Sequence, residues 1–161
     1  MNKPVVLVGY SGHAFVVYDI LLSMDKEIIG YCEQAKKTSN PFNIPYLGSE
    51  KESKTLEHLR EYEFFVAIGD NLIRSKIHSY LEENKCDVIS AMHVNSVVSE
   101  SATIGCGVMI APNAVINAQT AVEDGVICNS GCIIEHECRI NKFAHIAPGT
   151  VICGNTEIGE N

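Results

Sequence analysis

The sequence has little positive charge: 12 Lys and Arg stand against 20 Asp and Glu, a formal net charge of -8. Neutralising phosphates requires clustered basic side chains, which argues against nucleic acid as the main partner. The deficit is general, since the chain before Val98 holds 10 basic and 13 acidic residues and the chain from Val98 holds 2 and 7. No apolar run reaches the ~20 residues of a bilayer-spanning helix, and the N-terminus lacks a basic region followed by an apolar stretch and a cleavage site. No membrane insertion is therefore expected, and the expected location is cytoplasmic. Tryptophan is absent, and the seven cysteines contain no CxxC pair or His-flanked zinc spacing, an odd set that reads as reduced thiols in a reducing compartment. What is present is ample for a packed core: 161 residues, 46% of them hydrophobic, enough for one ordinary domain or two small ones.

From Val98 the chain divides into consecutive sixes: VSESAT, IGCGVM, IAPNAV, INAQTA, VEDGVI, CNSGCI, IEHECR, INKFAH, IAPGTV, ICGNTE and the fragment IGEN. Each first position is Val or Ile except Cys128, and each fifth position is small or β-branched. A period of six cannot keep one face of a helix, whereas short strands joined by tight corners can, so the pattern predicts a parallel β-helix. The repeats resemble left-handed hexapeptide-repeat acyltransferases, in which three hexapeptides close one triangular coil. Cys128, Cys132 and Cys138 fall on first or fifth positions and are expected to act as small buried hydrophobes.

Residues 1–92 read differently. PVVLVGY, EIIGYCE, FFVAIGD and DVISAMH are strand-like, and SGHAFVVYDILLSM, SKTLEHLREY and RSKIHSYLEEN lie between them with helical spacing. This alternation predicts a small parallel α/β domain of the nucleotide-binding kind, followed by the repeats from residue 93. The first turn, Gly9-Tyr10-Ser11-Gly12-His13-Ala14, is not GxGxxG, yet it keeps a glycine turn after a strand and free amides at a helix start. Ligands of such sheets bind beyond the carboxyl ends of the strands, which selects Ser11, Gly12 and His13, then Cys32 and Glu33, then Gly69 and Asp70.

A small α/β module with this turn, joined directly to a prism carrying Ile134-Glu135-His136-Glu137-Cys138, resembles one bacterial family over the whole chain. It comprises sugar acetyltransferases, among them the N-acetyltransferases of UDP-4-amino sugars and the sialic acid O-acetyltransferases. VGYSGHA, FFVAIGDN, NSGCIIEHEC and FAHIAPG carry the likeness, and the UDP-amino-sugar type matches better. The resemblance implies a Rossmann-like nucleotide-sugar-binding domain followed by a left-handed β-helix acetyltransferase domain. It makes His136 the general base and Glu137 the acid that raises its basicity. Asn129 would support that site and, with His145, contact acetyl-CoA as co-substrate, and Ser11, Gly12, His13, Glu33 and Gly69 would hold a UDP-amino sugar. Cys32 precedes Glu33 where an acidic pair is expected.

The chemistry agrees. Acetyl transfer from a thioester to an amine needs a neutral nucleophile, and a histidine titrating near neutrality can take the proton of a bound ammonium. His136 occupies the third position of its repeat, off the interior row, and should point outward. His136 and His145 are nine residues apart, half of an eighteen-residue coil, so one chain places them on different sides of the prism. If both serve one reaction, a neighbour supplies the second, which with the family habit predicts a homotrimer. A metal role for His136, Glu137, Cys138 and His145 has no supporting partner in the sequence, and no metal is expected. The chain stops within a repeat, at Ile158-Gly159-Glu160-Asn161, so the β-helix is expected to be truncated and to bind acetyl-CoA poorly. The competing readings are sialic-acid-type O-acetylation and a nucleotide-sugar-binding module without turnover.

Overall fold

The computed structural model describes residues 3–161. Its N-terminal sheet is built from β1 (Val5–Val8), β2 (Ile28–Cys32), β3 (Glu63–Val66) and β4 (Asp87–Val88), all parallel, in the order β2-β1-β3-β4. Three helices accompany it, α1 (Gly12–Ser23), α2 (Ser53–Leu59) and α3 (Asn71–Glu83). Both faces of the sheet are covered, which is why β1 reads as an unbroken apolar run instead of an alternating one. Val5 and Leu7 pack with Ala14, Val17, Ile20 and Leu21 of α1, whereas Val6 and Val8 pack with Leu56 and Leu59 of α2 and with Ile77 and Leu81 of α3.

The repeats form a three-faced prism of two-residue strands. One face holds β5 (Ala91–Met92), β8 (Met109–Ile110), β11 (Ile127–Cys128) and β14 (His145–Ile146). The second holds β6 (Val97–Val98), β9 (Val115–Ile116), β12 (Ile133–Ile134) and β15 (Val151–Ile152), and the third β7 (Thr103–Ile104), β10 (Ala121–Val122), β13 (Arg139–Ile140) and β16 (Glu157–Ile158). Partners in each face are parallel and eighteen residues apart, as Ile127 with Met109 and His145 shows. The second residue of each strand, the first of its hexapeptide, fills the interior with Ile110, Ile116, Val122, Cys128, Ile134, Ile140 and Ile146. Cys132 and Cys138 are buried beside them, as expected of small hydrophobes, and all seven cysteines are free.

The corners follow an equally strict rule. The fourth residue of every hexapeptide from Gly107 to Asn155 has a left-handed backbone, with φ between 55° and 68°. Gly or Asn fills most of these positions, as sterics favour. Gln119, Glu137 and Phe143 are the bulky exceptions.

The segment expected as one fourth strand, DVISAMH, is divided. Asp87–Val88 closes the edge of the module's sheet, and Ala91–Met92 already pairs with β8 of the prism, so the coil begins before residue 93. Ala91, Met109 and Ile127 point outward from the prism yet are buried, because they share a core with α1 and β1 of the module. Among the described residues no helix is long and apolar enough to cross a membrane.

Candidate active site

Where β1 ends, the chain turns at Gly9 with φ 91°, pressed so close to the loop after β3 that a Cβ there would stand 2.6 Å from Cγ1 of Ile68. Tyr10 is buried, stacked on Tyr31 at 4.1 Å between ring centroids, and its hydroxyl donates to Oδ1 of Asn40. Ser11 then starts α1 with an extended backbone, but its hydroxyl makes no capping bond and stays exposed. A Cβ on Gly12 would meet nothing within 4 Å. These two residues line a cleft of 280 Å³ with Phe15, Lys37 and Ser39. The free amides of the helix start make this cleft receptive to anions, while the Lys37 ammonium is paired with Glu33.

Glu33 follows β2 and reaches Lys37 and the amide of Tyr10 beside the cleft. Burial works against its charge, but the Lys37 ammonium 3.0 Å away and the amides of Gln34 and Tyr10 hold its carboxyl below the usual range. Cys32 does not join it. Its side chain is fully buried in the core between the sheet and α2, with its thiol pushed up to about 12, so it offers no side-chain contact to a ligand. The strand's alternation turns adjacent residues to opposite sides, and Glu33 is turned toward Lys37 and the Tyr10 amide.

The third strand end lies against the prism. Asp70 caps α3, its Oδ1 accepting from the amide of Ile73 at 2.9 Å, and a Cβ on Gly69 would stand 3.8 Å from Cβ and Cγ of His13. Across the seam His145 of β14 approaches, its ring centroid 6.5 Å from that of His13, and an opening of 480 Å³ runs between Gly69, Asp70, Asn71 and His145. Burial first, then the nearby Arg74 and His145, pulls His13 down to about 4, so it is neutral at physiological pH, with Nε2 buried and unpartnered. Burial and Arg74 lower His145 as well. Within one chain Asn129 lies beside His145, its amide nitrogen 3.0 Å from Nε2 of His145, and the resemblance places both residues at the cofactor. Asn129 and His145 occupy stacked coils of the face that meets the module, whereas His136 leaves the second face.

His136 itself stands on the corner after β12, 59% exposed at the side chain, with Nδ1 3.0 Å from Oε2 of Glu137. The left-handed backbone of Glu137 returns its carboxylate to the ring. Glycine on the next coil makes room: a Cβ on Gly154 would come within 2.7 Å of Cε1 of His136. A carboxylate at Nδ1 fixes the tautomer that leaves Nε2 as a proton acceptor, the arrangement of a general base.

One residue of the site is invisible to motif reading. Arg74 is 2% exposed and uses every guanidinium donor: Nε to the Gly125 carbonyl, Nη1 to the Ile68 and Gly69 carbonyls, and Nη2 to Oδ1 of Asn71 and the Phe143 carbonyl. Burial draws it down to about 10, still a cation at neutral pH. It ties the Gly69 loop to two prism corners, one of them two residues before His145. The available signal is its place on the apolar stripe of α3 with Ile77, His78 and Leu81.

Residues 4–81 match the PglD N-terminal domain family. The chain is 30% identical over 104 residues to a GDP-perosamine N-acetyltransferase of Escherichia coli O157:H7, covering 65% of this chain and 47% of that protein. It is also 30% identical over 110 residues to a UDP-N-acetylbacillosamine N-acetyltransferase of Bacillus subtilis, covering 67% and 51%. The chain thus spans about half the length of these curated relatives. The crystal structure of PerB from Caulobacter crescentus, in complex with CoA and GDP-perosamine, superposes with a TM-score of 0.89 at 31% identity, over 98% of this chain and 74% of that one. With a matching N-terminal domain, a prism bearing the histidine and carboxylate pair, and a solved relative that agrees over nearly the whole of it, this chain belongs to the bacterial sugar acetyltransferases of the PglD type.

Proposed function

We propose that the chain is an acetyl-CoA-dependent N-acetyltransferase acting on a UDP-4-amino-4,6-dideoxy sugar in bacterial glycan biosynthesis. In this reading the N-terminal module holds the nucleotide sugar and the prism, a left-handed coil, carries the transfer. The observation that carries it is the His136–Glu137 pair, exposed on a corner with Nε2 free. His136 Nε2 takes a proton from the sugar ammonium and releases it to solvent; the neutral amine attacks the thioester carbonyl, His136 takes the second proton from the nitrogen of the tetrahedral adduct, and the C–S bond breaks as the departing thiolate takes that proton from the imidazolium, leaving a neutral amide and a thiol. Glu137 stabilises the imidazolium between these steps. The anion-receptive cleft at Ser11 and Gly12 suits a diphosphate, and His13, neutral and unpartnered at Nε2, suits a sugar hydroxyl.

The same reading makes the enzyme a homotrimer. Val97 and Val151, about 60% exposed, continue with Val115 and Ile133 as an outward aliphatic ladder on the second prism face. A ladder of β-branched side chains on an unpartnered face suits another copy of the chain, which would also bring a neighbour's His145 face toward His136. Thiol release from acetyl-CoA, measured with a panel of UDP- and GDP-linked 4-amino sugars and with sialic acid, tests the assignment. UDP-amino sugars should turn over fastest, and His136→Ala should lose about 10²- to 10⁴-fold. Undiminished turnover in that variant removes His136 as base, and preference for sialic acid or for GDP-sugars overturns the substrate assignment.

A further inference from the structure

One side chain on α3 has no part in the chemistry above. His78 is 1% exposed, yet neither ring nitrogen has a hydrogen-bond partner among the described residues. It is wedged into the seam between module and prism: a Cβ on Gly107 would stand 2.5 Å from its Nε2, and its ring meets Phe143 edge-on at 5.4 Å. An imidazole buried with both nitrogens idle is destabilising, so the position invites a partner that the polypeptide does not supply. Its Nδ1 faces Oε2 of Glu82, one helical turn on, at 3.5 Å. That is too long for a good hydrogen bond, but two donors each about 2.0–2.2 Å from one tetrahedral ion stand roughly this far apart. Cys106, on the prism corner facing α3, completes a trio whose donor atoms all lie within 4.8 Å of one another.

We propose that His78, Glu82 and Cys106 form a binding site for a borderline-soft divalent cation of the zinc class, bridging the N-terminal module and the prism. The donor set of imidazole nitrogen, carboxylate oxygen and thiolate sulfur selects zinc-like ions over magnesium or calcium, which take oxygen ligands. Glu82 is half-exposed, so a water can reach the fourth position. The Cys106 thiol donates to the Val88 carbonyl at 2.8 Å and so carries its proton before an ion binds. Binding exchanges that proton, released to solvent, for a sulfur–metal bond. Asp124, the other acidic group at this corner, is already committed: Oδ1 accepts from the Cys106 amide and Oδ2 from Lys142. These contacts instead hold the corner that presents the thiol, as partners of metal ligands commonly do. The ligands come from an i, i+4 pair on a helix and a cysteine on a distant repeat, which is why the sequence shows no zinc spacing and suggests no metal. None of the three is assigned to sugar binding or to proton transfer, so the ion is a staple between domains and the test is independent of turnover.

The full chain, stripped with a chelator, is titrated with Zn²⁺ against a chromophoric competitor. The expected result is a single equivalent bound per chain, a rise in Tm on binding, and a thiolate-to-cobalt charge-transfer band when Co²⁺ replaces Zn²⁺. Glu82→Gln and Cys106→Ser should each weaken binding by about tenfold or more, and Cys106→Ser should abolish the band. Cys153→Ser, which alters an exposed thiol elsewhere, should bind as the unmodified chain does. The two variants at Glu82 and Cys106 decide the matter without His78→Gln, whose buried position can cost folding. Absence of saturable Zn²⁺ binding, or an affinity left unchanged by Glu82→Gln and Cys106→Ser, overturns the proposal.

Discussion

In the prism the interior side chains come from the first and fifth positions of a six-residue repeat, whereas the site of the module is assembled from strand ends far apart in sequence. The consequence is a different place for polar chemistry. The prism's interior is aliphatic apart from small side chains such as Cys128 and Thr120, and the His136–Glu137 pair stands on a corner where the repeat is violated by Glu137. The module instead takes polar groups inside: Tyr10 and Arg74, where acceptors of another segment meet them, and His78, whose ring nitrogens stay unpartnered among the described residues. A periodic scaffold thus exposes function as an exception to its pattern, and a convergent one hides function inside its core.

The largest expected effect tests that contrast at the seam. Arg74→Met keeps much of the volume but leaves the carbonyls of Gly125, Ile68, Gly69 and Phe143 without their donor in a buried place. Loss of about 3–5 kcal/mol of stability is expected, measured by urea unfolding, with two transitions replacing one as the module comes away from the prism. A single transition with a loss below about 1 kcal/mol would mean that the apolar contacts of Met109 and Ile127 alone join the two regions.

How much of this is legible in the sequence follows from the same contrast. The prism is, because a six-residue period is local: each hexapeptide declares its interior residue, and the His136–Glu137 pair sits where a small corner residue is otherwise expected. The docking faces are legible too, though only when the residues before each interior position are grouped by threes. That row runs Met109, Ile127, His145 on the face covered by the module, Val97, Val115, Ile133, Val151 on the bare one, and Thr103, Ala121, Arg139, Glu157 on the solvated one. Cys32 is misleading because its neighbour Glu33 marks the strand end, and strand alternation puts the two on opposite sides. Arg74 is not legible, since its role depends on how the module is set against the prism, a relation that no local pattern encodes; the pairing of Asn129 with His145 follows instead from the eighteen-residue stacking of coils.

A smaller effect concerns titration at that seam. His13 is neutral in the folded chain, pulled to about 4, while an unfolded histidine titrates near 6.5. Between these values the unfolded chain binds the extra proton, so stability contributed above about pH 6.5 is lost as pH falls toward 4. The loss attributable to His13 is on the order of 2–3 kcal/mol, and His13→Asn should flatten that part of the stability profile. His145, lowered in the same direction, leaves a shallower slope in the variant. An unchanged profile in His13→Asn would show that His13 is already solvated and that the seam opens below neutrality.

The smallest effect is the sharpest test of the idea that function on a periodic scaffold is an exception to the repeat. Glu137 holds a φ of 57° where glycine stands in the equivalent position of several other coils, and a non-glycine residue there costs about 1 kcal/mol. Its contact with His136 returns little stability, because both side chains are about 60% exposed and such pairs contribute about 0–1 kcal/mol. Glu137→Gly should therefore raise stability by roughly 0.5–1 kcal/mol while lowering the rate of acetyl transfer, whereas Glu137→Gln, which keeps the strained backbone, should lower the rate without the gain. A lower Tm in Glu137→Gly would mean that the ion pair outweighs the backbone strain, and the corner would then be a stabilising element as well as a catalytic one. A higher Tm with reduced turnover identifies the strain as the energetic consequence of placing a carboxylate beside His136.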